Sequence, residues 1–193
     1  MFAHKLRVNQ GFVQLNITAS KDTNVSVVNV MDGLSAVRTD FVTSGMDSAS
    51  SQIYAAVKPH GVDVTAYLYA AMECSELDAS TLGIVTEKLY IGTNASSVAQ
   101  AGTVALSAGN MTTINKYFGG ASSDGFINPQ ETAKYASVDA MNMGFYQSMQ
   151  DHMAEWAEIL PEDSVVRTSS YLVGPLLNDM IGFLHLPKWN PAG

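Results

Sequence analysis

Apolar and polar residues alternate along the first thirty positions of the chain. In "KLRVN", Leu6 and Val8 share a side opposite Lys5 and Arg7. Val13, Leu15, Ile17 and Ala19 then oppose Gln14, Asn16 and Thr18, and "NVSVVNV" is a third β-rich run reached through the turn-forming "SKDTN". A period of two is the signature of half-buried strands, so 1–31 reads as β-rich. The period then lengthens. Leu34, Val37, Phe41, Gly45, Ala49, Ile53 and Ala56 recur at steps of three and four, which predicts one or two helices over 33–58, ended by "KPHG".

Alternation returns over 62–108. Val62, Val64, Ala66, Leu68, Ala70 and Met72 oppose Asp63, Thr65, Tyr67 and Tyr69; "GIVTEKLYIGT" and "GTVALSAG" follow at a spacing typical of an antiparallel meander. Tyr67, Tyr69 and Tyr90 fall on the polar side of these runs and form a possible ligand-binding face.

The stretch 110–186 reads as helical. Asn128, Pro129 and Glu131 have the spacing of a capping box with proline at the first helical position. Val138, Met141, Phe145, Met149, Met153, Trp156 and Leu160 continue as one apolar stripe up to Pro161, predicting a single helix roughly 45 Å long. A second helix is expected within "SSYLVGPLLNDMIGFLHL", and 187–193 forms an extended tail carrying Trp189. The fold class that follows is α+β. An antiparallel, meander- or sandwich-like sheet carries a long amphipathic helix and a second helix near the C-terminus, all in one domain over 1–193.

Composition narrows the function. The net charge is −8 and the ten Lys and Arg residues are scattered singly, so there is no basic stripe with which to engage nucleic acid. No run approaches 18 apolar residues, and membrane insertion is not expected. "MFAHKLRVNQGF" lacks the apolar core of a signal peptide, which points to synthesis in the cytoplasm without export; the sequons at Asn16, Asn24, Asn94 and Asn110 then carry little weight. Cys74 stands alone between Glu73 and Glu76, whose charge disfavours a thiolate, and reads as a structural thiol.

"GASSDGFINPQE" (120–131) can be laid over a twelve-residue calcium loop, with Asp124, Gly125, Ile127, Asn128 and Glu131 at matching positions. Gly120 and Ser122 stand where further ligands belong. The stretch therefore reads first as the start of a helix, with no cofactor expected. Ca²⁺ on Asp124 and Glu131 is the secondary reading. His152, Glu155 and His185 are the residues around which an enzyme site on the long helix would form. No GxSxG, P-loop or GxGxxG motif occurs.

Low charge, one cysteine and many small polar residues favour a non-enzymatic assembly subunit. Such a chain would pack with copies of itself or with neighbouring structural proteins, for instance as a virion capsid, tail or decoration component, through Met153, Phe183, Leu186 and Trp189. A carbohydrate- or other ligand-binding module on the tyrosine face is the alternative, and an enzyme the third reading.

Overall fold

In the computed structural model, which describes residues 1–33, 37–85 and 96–159, most of the chain is antiparallel sheet. The strands are β1 (Phe2–Ala3), β2 (Gln10–Thr18), β3 (Thr23–Asp32), β4 (Thr39–Asp47), β5 (Gln52–Pro59), β6 (Ala66–Glu73), β7 (Leu77–Ile84), β8 (Ser97–Leu106) and β9 (Met111–Ser122). Two helices follow, α1 (Pro129–Met143) and α2 (Phe145–Ile159). The fold is α+β, as the alternation predicts. The chain divides into two units, Met1–Gln150 and Asp151–Gly193; the described part of the second is the latter half of α2.

The first unit has three layers. A six-stranded sheet runs β1-β2-β9-β6-β5-β4, and a three-stranded sheet runs β3-β8-β7. Cross-strand pairing sorts the large sheet into two faces. Phe12, Tyr117 and Ala71 pair in one row, and Gly119 with Tyr69 in the next, on the face covered by α1. Phe118, Ala70 and Ile53 lie on the opposite face, where Met31 of β3 and Val98 of β8 close over them.

Small residues bring α1 close. Ala133, Ala136, Ser137 and Ala140 are buried, and they lie over Gly119, where any side chain would run into the backbone of Ala133 and Ser137. Phe12 is fully buried between Phe2, stacked at 4.7 Å, and Tyr117, edge-on at 5.9 Å. Each such ring contributes about 1.5–3 kcal/mol by leaving water.

Several expectations are corrected. Within 33–58 the described residues form the hairpin β4–β5, not helix. A register shift between Phe41 and Thr43 breaks the alternation and produces the apparent helical spacing. Asp47 Oδ1 accepts from the amides of Ala49 and Ser50 and so forms the turn. Residues 111–122 are the central strand β9, also not helix; burial on both faces hides its period. Strands β6, β7 and β8 are not one meander, because β6 belongs to the large sheet and β7–β8 to the small one. The long helix is two helices. Gly144 sits at φ 80°, donates its N–H to Ala140 and Met141 to close α1, and accepts from the Ser148 amide as α2 begins. The second C-terminal helix and the tail lie outside the described residues.

Candidate functional site

The loop that resembles a calcium site is tied down by ordinary hydrogen bonds. The Ser123 amide donates to Thr65 O at 3.0 Å, and the Thr65 amide donates back to Ser123 Oγ at 3.0 Å. The Asp124 carboxylate accepts from the Ser122 hydroxyl, which holds it below the usual carboxylate range. Glu131 is exposed on the first turn of α1. Among the described residues no three His, Cys, Asp or Glu side chains come together as a metal site. Pro129 does open the helix, but the Asn128 side chain makes no capping bond, so the expected capping box is not formed.

Helix α1 covers the tyrosine face. Tyr69 is 2% exposed and stacks on Tyr54 at 5.1 Å, and its hydroxyl accepts from Gln130 Nε2 at 3.0 Å. Burial pushes its phenol up. Tyr67 packs partly buried beside it, and Tyr90 lies outside the described residues. Tyr69 is thus helix-packed core, whereas the half-buried Tyr67 also lines a groove on this sheet.

On α2, His152 meets Trp156 edge-on at 6.3 Å, while Met153 and Trp156 are 55% and 41% exposed. His185, Phe183, Leu186 and Trp189 lie outside the described residues. Among the described residues no helix is long and apolar enough to cross a membrane. The Cys74 thiol is pushed up, first by burial and then by Glu76, to which it donates at 3.3 Å; this matches a structural thiol. Two histidines gain partners that the sequence did not show. His4 is buried and accepts at Nδ1 from the amides of Leu6 and Arg7, and His60 meets Asp40 at 3.0 Å on the surface.

A concavity lined in part by Tyr67 has no local signature in the sequence. A groove of about 1030 Å³ opens over the inner face of the large sheet, lined by Val13 of β2, Leu68 of β6, Phe118 and Gly120 of β9, and Val30 and Met31 of β3. Lys116 of β9 reaches across it. Its ammonium donates to Val30 O at 3.1 Å and lies 4.7 Å from the centre of the Phe118 ring. Burial lowers its pKa to about 8. Apolar residues dominate the walls of the groove, with Asn9, Gln10, Asp32, Tyr67, Lys116 and Ser122 as the polar lining.

Comparison with known proteins supplies what this geometry leaves open. A family model described as "Glycosyl hydrolase family 65, N-terminal domain" matches residues 1–159. A cell wall acid trehalase from Arthroderma benhamiae is 51% identical over 166 residues, which are 85% of this chain and 16% of that protein. An acid trehalase from Emericella nidulans is 45% identical over 181 residues, 93% of this chain and 17% of that protein. The chain thus spans about a sixth of these relatives. Among solved structures, a protein assigned as a kojibiose phosphorylase from the human microbiome superposes with a TM-score of 0.60 at 14% identity, over 78% of this chain and 19% of that one; it shares the fold. These matches overturn the expectation of a non-enzymatic assembly subunit. A capsid, tail or decoration role and a place in a virion both fall, since the relatives are glycosidases and one is named for the cell wall. Low charge and small polar residues are shared by both kinds of protein, so composition could not separate them.

Proposed function

The chain belongs to the glycosyl hydrolase family 65 N-terminal domain family, and from that premise we propose that it is the amino-terminal β-rich domain of a trehalose-cleaving glycosidase. The observation that carries this reading is the 51% identity over 166 residues to a cell wall acid trehalase. Five of the described carboxylates are not tuned as a proton donor would be. Glycoside hydrolysis pairs an ionised carboxylate with a second carboxyl whose pKa is raised so that it can deliver a proton. Asp47, Asp63, Glu76, Asp78 and Asp124 are all shifted the other way, each by a hydrogen-bonding neighbour. Because the chain matches only 16–17% of these relatives, we assign the acid–base pair to the remaining polypeptide that they carry, and to this chain the role of a domain against which that polypeptide folds.

The test is exchange. The chain is put in place of the matching segment of the Arthroderma benhamiae enzyme, and trehalose hydrolysis is assayed. Activity well above that of the enzyme lacking the segment supports the reading, and a folded but inactive chimera overturns it.

A further inference from the structure

The two sheets of the first unit differ in width, six strands against three. Strands β3 and β8 lie over β5, and β8 also over β4. At about 4.8 Å per strand, the inner face of β2, and of β6 and β9 away from Ala70 and Phe118, extends beyond that cover. The groove lies on this uncovered part, and several of its apolar residues are open to solvent: Leu68 is 41% exposed and Val30 36%.

The groove also runs beside the outer edge of β3, whose orientation follows from the ladder. The Gly33 amide bonds to Ser96 O, and pairs of constant register place Met31 opposite Val98 and Asn29 opposite Gln100, so odd-numbered residues of β3 turn their backbone groups toward β8. The even-numbered residues Asn24, Ser26, Val28 and Val30 turn theirs away from it. On the β8 side the same parity holds, since Ala99 O accepts from Val85 of the opposite neighbour. Among the described residues no strand pairs with the outer edge of β3. The bond from Lys116 Nζ to Val30 O therefore falls on that edge, and the ammonium supplies a donor where a neighbouring strand would place an amide.

We propose that the groove is the seat of an extended polypeptide segment, apolar at alternate positions, contributed by the remainder of the same enzyme and paired with the outer edge of β3. This rests on the reading of the chain as one domain of a longer glycosidase; its relatives are about six times the length of the match. Three features select this occupant. A row of outward backbone donors and acceptors recognises another strand and not a sugar or a free ion. The floor of the groove offers apolar residues to every second side chain of such a strand. The exposed Leu68 and Val30 would be covered by it.

Hydrogen exchange read by mass spectrometry tests this in the chain alone and in the chimera described above. The outward amides of Ser26, Val28 and Val30 are expected to slow by about tenfold or more in the chimera, while the outer edge of β4 keeps its rate. Equal rates at Ser26–Val30 in an active chimera overturn the groove proposal and leave the proposed function standing; an inactive chimera removes both. Slow exchange in the chain alone, appearing only at concentrations where light scattering shows a dimer, assigns the edge to a second copy and also overturns the proposal. Val28→Pro provides an independent check, because it deletes one outward N–H and leaves the β3–β8 bonds intact. Reduced trehalose hydrolysis by that chimera supports the pairing, and unchanged hydrolysis contradicts it.

Discussion

The hydroxyl of Ser137 on α1 donates to the backbone carbonyl of Tyr117 on β9 across 3.0 Å, in a site shielded from solvent. Beside it, Gln10 of β2 donates to Ala136 O of the same helix at 3.1 Å. The helix is therefore fastened to two adjacent strands by polar contacts that only a close approach allows, and Gly119 permits that approach.

Gly119→Ala should force α1 away from the sheet and cost about 1–3 kcal/mol. The measurement is urea unfolding, with a lower midpoint expected at an unchanged slope. A midpoint equal to that of the unsubstituted chain would mean that the helix does not rest on β9.

The break between α1 and α2 depends on one residue. Gly144 holds φ at 80° and ψ at 161°, a region essentially reserved for glycine that costs an L-residue about 1–3 kcal/mol. Gly144→Ala should lower stability by that amount, or fuse the two helices into one. Circular dichroism separates the two results, and a variant with unchanged stability and helicity would contradict the break.

Much of this architecture was readable, and the misses have physical causes. Strand β3 buries mainly one side, so a period of two survives in its residues. Strand β2 alternates although Leu15 of its apolar row is exposed and Phe12 of the other row is buried. Strand β9 carries large side chains on both faces, with Tyr117 under the helix and Phe118 partly buried against the small sheet at the groove, and its polar–apolar period vanishes. The shift at Phe41/Thr43 disguised β4 as a helix, and Gly144 was passed over within an otherwise apolar stripe. Of the groove, the sequence marks only Tyr67 as a candidate contact. The groove depends on Lys116 meeting Val30, 86 positions away in the chain, and no local pattern encodes that meeting. Family membership was equally hidden, because none of the familiar catalytic motifs lies in this domain.

Lys116 provides a test through pH. Its folded pKa of about 8 lies below the ordinary 10.5, so the unfolded chain holds this proton more tightly. Protonated Lys116 therefore lowers stability fully below pH 8, and the penalty is relieved as pH rises from 8 to 10.5, by at most about 3 kcal/mol. Lys116→Met should raise the urea midpoint of the chain at pH 7 and flatten its rise across that window. If the variant follows the same pH curve as the parent, the amine is not desolvated.

Asp47 links β4 to α1 through Lys134 at 2.5 Å. The Lys134 hydrogen bond holds the Asp47 carboxyl below 3.8, so its contribution is complete above that value and is lost as pH falls through the lower folded pKa. Asp47→Asn keeps the oxygen that accepts from Ala49 and Ser50 and removes only the charge. It should lower the urea midpoint at pH 7, since the two side chains are only about one-fifth exposed, and have no effect once the parent carboxyl is protonated. A cost that persists unchanged in acid would place the effect in the turn instead.

The central claim is that this chain is one working part of a trehalose-cleaving enzyme. The most direct measurement is kcat/KM for trehalose of the Arthroderma benhamiae enzyme in three forms: intact, lacking its matching segment, and carrying this chain in that place. The account predicts that the chimera comes within about tenfold of the intact enzyme, a difference of about 1.4 kcal/mol, while the truncated form is nearly inactive. A chimera that folds yet hydrolyses trehalose no better than the truncated form would contradict it.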